Sequence, residues 1–140
     1  MYNTVIALYM VFTMLCAKQD RSVEFYSEYY DTCYYDDDKA RFTDCVDNEV
    51  KTRIVFDVSK GIVSFMPEQG VAEVYRVANT KRLKDESLRI YLQDVENDYY
   101  IGNVDLKKNM FMISRDYDLM RKGEYKYHPL RRFVVSVVEY

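Results

Sequence analysis

The chain has 140 residues, room for one domain and one core, and its 20 basic and 23 acidic residues leave a net charge of −3. So balanced a charge supplies no global field for nucleic acid or for an anionic membrane, and nucleic-acid binding is not expected. Tyrosine is used heavily, 15 residues with no tryptophan, which suits sheet faces where a ring packs and its hydroxyl reaches water.

Val5 to Leu15 is an uncharged apolar run, followed by Cys16-Ala17 and the polar Lys18-Gln19-Asp20-Arg21. Its length and position are those of a signal-peptide core, and it lacks the amphipathic period of a surface helix. No Lys or Arg precedes it, and Leu15 is poorly placed for cleavage either after Ala17 or before Cys16. The expectation is a signal peptide or lipoprotein leader over residues 1–17, with Cys16 the lipidation candidate, ahead of a single β-rich domain over residues 18–140. The competing reading is a buried first element of a cytosolic protein. No segment reaches the roughly 20 apolar residues of a membrane-spanning helix, so membrane contact is expected only through the leader or a lipid anchor.

Three cysteines are an awkward number for a secreted chain. Removal of the leader, or lipidation of Cys16, leaves Cys33 and Cys45 as a disulfide candidate, which would stabilise a short loop by about 2–3 kcal/mol. Free thiols are the cytosolic alternative. Two cysteines with His128 as the only histidine do not make a conventional zinc site, and no metal or cofactor is expected.

From Arg21 to Glu49 tyrosines alternate with acids. Strands are expected over Ser22 to Tyr26 and Arg41 to Val46. Between them Tyr34, Tyr35, Asp36, Asp37 and Asp38 form a candidate interaction loop, its aspartates satisfying local backbone donors. The acids lack the spacing and central glycine of a calcium loop, and consecutive like charges usually face water.

The remainder alternates more plainly. Ile54 and Phe56 lead into Val58-Ser59-Lys60-Gly61, and Ile62 to Met66 returns antiparallel until Pro67. Gly61, and Asn109 in the matching stretch Val104 to Ile113, are the residue types that accept left-handed geometry, which predicts two three-residue hairpin loops. Val71, Glu73, Tyr75 and Val77 share one face of a third strand, ended by a polar connection from Asn79 to Glu86. Leu88, Ile90 and Leu92 point inward in the next. Strands follow over Tyr99 to Leu106, Met110 to Arg115 and Arg132 to Tyr140, the last apolar on both faces and so central or covered. Tyr117 to Arg131 is read as a loop with a short edge strand at Glu124-Tyr125-Lys126-Tyr127. The whole predicts an all-β protein of about eight short antiparallel strands in a meander, either a small barrel or a two-layer sandwich.

Catalytic arrangements each lack a part. His128 has no glycine-flanked serine near it, the cysteines lie among acids that would raise a thiol pKa, and the glycines are too scattered for a phosphate loop. Arg121, Lys122, Lys126, Arg131 and Arg132 concentrate near the end of the chain as a candidate anion-binding patch. If the terminal strands are neighbours, these bases could instead pair with the acids of Asp31 to Glu49. The sequence thus points to a non-enzymatic, extracytoplasmic β-domain serving as a binding or envelope-accessory module for a protein or small-molecule ligand. The alternative is a cytoplasmic interaction or inhibitor protein docking through the Tyr/Asp loop or an exposed strand edge.

Overall fold

The computed structural model describes residues 22–116, 119 and 128–138. The leader over residues 1–17 with Cys16, the bases Arg121, Lys122 and Lys126, and the short strand read at Glu124 to Tyr127 lie outside the described residues. Among those described, nine strands follow one another: β1 (Ser22–Asp36), β2 (Arg41–Asn48), β3 (Thr52–Asp57), β4 (Ile62–Pro67), β5 (Glu73–Arg82), β6 (Leu88–Gln93), β7 (Tyr99–Asp105), β8 (Met110–Arg115) and β9 (Leu130–Val137). From β3 onward each pairs antiparallel with the next, and β9 returns to pair with β1, closing a barrel of eight strands with β2 as an extra. Of the two architectures the sequence allowed, the barrel is the one formed. Closure leaves none of these eight with an open edge within the barrel.

β2 and β3 lie on the same edge of β1. β3 pairs with Ser22 to Ser27, and β2 pairs with Tyr30 to Asp36. They are two halves of one stave, interrupted between Asn48 and Thr52 opposite an irregularity in β1 between Ser27 and Tyr30. The far half of β1, with β2, therefore runs on beyond the barrel as a hairpin. β1 is longer than the alternation predicts because the irregularity switches which residues face inward, from Phe25 to Tyr30, and so hides a continuous strand.

An eight-stranded barrel is just wide enough for side chains to fill. Here the filling is aromatic: Phe25, Phe56, Phe65, Phe111 and Phe133 are all buried. Phe111 touches Phe56 and Phe65 at ring-centroid distances of 5.6 and 5.4 Å, and Phe65 reaches Phe133 at 5.5 Å. Each such ring stabilises the fold by about 1.5–3 kcal/mol relative to an exposed one. Leu88, Ile90 and Leu92 complete the wall on β6, as their spacing predicts. Gly102 makes room for the centre, since a Cβ there would lie 3.4 Å from Phe111 and 3.5 Å from Leu92.

One end of the barrel is shut by its turns. Asp57 Oδ1 accepts hydrogen bonds from the Ser59 hydroxyl and the Lys60 amide, and Asp105 Oδ1 accepts from the amides of Lys107 and Lys108. Gly61 and Asn109 follow at φ 63° and 54°. Asp57 pairs with Ile62 and Asp105 with Met110, so each loop holds four residues rather than the three expected. The extra residue is Val58 or Leu106, and both turn back into the core, 4% and 5% exposed. The strand read from Val71 to Val77 instead starts at Glu73 and continues to Arg82, taking in much of the stretch read as a connection.

Candidate functional site: the barrel mouth and the projecting hairpin

At the opposite end, charged residues occupy the inward phase of strands whose next inward residues are apolar. On β9 Arg131 precedes Phe133, on β5 Glu73 precedes Tyr75, and on β8 Arg115 follows Ile113. Arg131 donates through Nη1 to Glu73 Oε1 at 3.2 Å and through Nη2 to Glu73 Oε2 at 2.6 Å. The Tyr75 hydroxyl donates to Glu73 Oε2 at 2.7 Å. The guanidinium of Arg131 also lies over the rings of Phe65 and Phe133, 5.7 Å from each centroid. A second cluster stands beside it, with Tyr100 against Tyr75 at 5.0 Å, Arg115 over the Tyr100 ring at 5.3 Å, and Arg115 paired with Asp98 at 3.0 Å.

Two shallow depressions flank Arg131. One, of about 200 Å³, runs between Tyr75, Tyr100, Arg115 and His128, and the other, of about 140 Å³, between Tyr30, Thr52, Phe65 and Gln69. Burial pushes the Glu73 carboxyl up, but the hydrogen bonds and charge of Arg131, with the Tyr75 hydroxyl, outweigh it and hold the group below its ordinary value. Burial, reinforced by Glu73, pushes the Tyr75 phenol up, and burial also raises Tyr100. The Arg131–Glu73 pair thus holds opposite charges together at the rim.

The bases read as an anion-binding patch divide here. Arg131 points inward to Glu73, while Arg132, its neighbour on the outer face, bonds Asp31 of β1 at 3.0 Å. Both described arginines of that patch are thus engaged with acids, and the Asp31–Arg132 contact spans the β1–β9 seam that closes the barrel.

No protein-family model, curated protein or solved structure matches the chain. Its surface must therefore be read from its own geometry, and the hairpin is the most distinctive part. Cys33 and Cys45 stand at disulfide-bonding distance with their Cα atoms 4.0 Å apart. Cys33 is buried and pairs with Leu130 of β9, so the bridge ties the projecting hairpin to the barrel seam. Its partner strand bulges there, with Asp44 at φ 50°. At the root the Asn48 side-chain amide donates to the carbonyls of Tyr30 and Val46 and to the Thr32 hydroxyl.

Of the residues read as an interaction loop, Tyr34, Tyr35 and Asp36 belong to β1, and Asp37 and Asp38 lie in the turn. Asp36 Oδ1 accepts from the amides of Asp38 and Lys39 and Ala40 follows at φ 50°, the same chemistry as the two closed-end turns. Where those turns send Val58 and Leu106 inward, this one carries the exposed Asp37. The hairpin's two faces differ. Tyr35 packs edge-on against Phe42 at 5.4 Å on the face that also carries Asp31 opposite Asp47, whereas Tyr34 and Val46 stand exposed on the other, 44% and 56% accessible.

Proposed function

We propose that this chain is an exported, non-enzymatic binding module, acting as a free or envelope-associated accessory protein, whose partner is engaged by the β1–β2 hairpin above the barrel mouth. The observation that carries the reading is the Cys33–Cys45 pair. It clamps the one hairpin that, among the described residues, leaves the barrel, and a clamped, pre-ordered element loses less conformational freedom on binding. Disulfides persist in oxidising compartments, which supports export. A barrel interior occupied by phenylalanines favours recognition at the rim over enclosure of a ligand.

The test is a photo-crosslinking residue at Tyr34, with Lys107 on the closed end as the control position, in protein made by its own cells. A discrete adduct from Tyr34 with none from Lys107 is the expected result. Equal adducts from both positions, or none from Tyr34, would refute the reading.

A further inference from the structure

Among the described residues β2 is the terminal strand of the sheet, paired with β1 on one side and with nothing on the other. A terminal strand offers a row of backbone donors and acceptors to an added strand, with alternate side chains setting which sequence fits. The two faces of β2 state that requirement separately. On one, Val46 and Thr43 stand beside Tyr34 and Thr32, an apolar and β-branched surface. On the other, Asp47 lies directly opposite Asp31, close to Glu49, at the root of the hairpin; toward the tip this face carries Phe42 opposite Tyr35, and the first face carries Arg41 opposite Asp36.

Over residues 28–49 Lys39 and Arg41 are the only bases, set against acids at Glu28, Asp36, Asp44, Asp47 and Glu49 among others. Asp31 is engaged by Arg132, whereas Asp47 forms no ion pair among the described residues, and its carboxyl is held above the ordinary value by the hydrogen bond and charge of Asp31, with a smaller push from Glu49. The charges and the bulge at Asp44 also guard the edge against indiscriminate pairing. An incoming strand has to bring positive charge on one face and apolar side chains on the other.

Resting on the reading of the hairpin as the binding element, we infer that β2 accepts an added strand from a partner protein, an extended segment in which basic and apolar residues alternate. The basic residues lie beside Asp47 and the apolar ones beside Val46 and Thr43. Phe25 to Cys33 of β1 are already covered on their other edge by β9, which leaves β2 as the longer open edge.

The experiment uses the full chain and an eight-residue capped peptide of alternating lysine and valine, as long as β2 itself. Binding is expected, with slowed amide exchange confined to Thr43 through Asn48. Replacing lysine by glutamate, grouping the lysines and valines into blocks, or methylating the peptide's backbone nitrogens should each weaken it by about tenfold or more, since charge, alternation and backbone pairing are all required. Asp47→Lys, at an exposed position, should weaken it about tenfold without lowering the melting temperature.

Equal binding of the blocked or N-methylated peptide, protection mapping away from β2, or absence of binding would overturn the inference. So would sedimentation showing β2 already paired with a second copy of the chain. The crosslinking test above fails independently: a peptide seated on β2 with no Tyr34 adduct refutes the function and leaves strand addition standing, and an adduct without peptide binding does the reverse.

Discussion

Replacing both Cys33 and Cys45 by alanine removes the clamp without burying a new hydroxyl at the enclosed Cys33 position. The bridge closes a loop with a sequence separation of 12. Loop-closure entropy for that length corresponds to about 3 kcal/mol of stabilisation at room temperature. Where the loss appears depends on the fold. The root of the hairpin is held by the Asn48 amide and by pairing of Tyr30 to Cys33 with β9, whereas the tip from Tyr34 to Thr43 lies beyond β9 and buries little. The tip should therefore open locally in the alanine variant before the barrel unfolds, so that the global loss is about 2–3 kcal/mol and not more. Chemical unfolding measures the global part, and amide exchange read by mass spectrometry measures the tip. Wild-type protein under reducing conditions should match the variant in both. A global change below about 0.5 kcal/mol, with unaltered exchange from Tyr34 to Thr43, would refute the clamp, since even an imperfect bridge over this loop should exceed it.

Arg131→Met leaves Glu73 beside buried rings without its cation. Because Glu73 keeps 42% of its side chain exposed, the cost should be about 1–2 kcal/mol rather than the larger penalty of a fully buried pair. Glu73 is depressed in the folded state, so its contribution is present above the ordinary carboxylate pKa and is lost as pH falls through the lowered folded value. Urea denaturation across the acid range should show a flatter acid limb in Arg131→Met than in wild type. Asp47 has the opposite sign: its folded value is raised, so it favours folding below the ordinary carboxylate pKa and loses that contribution as pH rises through the raised value. Asp47→Asn should accordingly raise the melting temperature at neutral pH and leave it unchanged in acid. Gly102→Ala should be tolerated within about 1 kcal/mol, because its Cβ meets Phe111 and Leu92 at ordinary contact distance, whereas Gly102→Val should cost about 1–3 kcal/mol by overpacking, both read by chemical denaturation.

The parts of the fold that were legible in the sequence are those where local chemistry and burial agree. The two closed-end hairpins carry an aspartate, a lysine and a left-handed residue at fixed offsets, and β6 alternates without interruption, so both could be placed from spacing alone. The third hairpin has the same aspartate and lysine, and its aspartates were legible as a turn, but Ala40 in the left-handed position and Asp37 where the other two have an apolar residue hid that it is the same kind of turn. β1 was legible only up to Tyr26 because its irregularity resets the inward phase. β2 was legible from Arg41 to Val46 and runs on to Asn48, although its exposure leaves little burial period to read.

The mouth escaped for a different reason. Glu73 and Arg131 are 58 residues apart, and no spacing rule joins them. A signal was nevertheless present: Glu73, Arg115 and Arg131 each fall in phase with the apolar face of their own strand, at the strand end that an up-and-down barrel brings to one rim. A charge at an inward position near a strand end is conspicuous once the topology is known, because such a group needs a partner and only the same rim can supply one.

The account depends most directly on export of a chain whose hairpin is clamped, and the intact mass of the protein from its own cells, before and after reduction and thiol alkylation, tests both points together. The prediction is a species shorter by about seventeen residues at its N-terminus, or lipid-modified at Cys16, in which Cys33 and Cys45 take up alkylating reagent only after reduction. A full-length species with all three thiols reactive before reduction would contradict it.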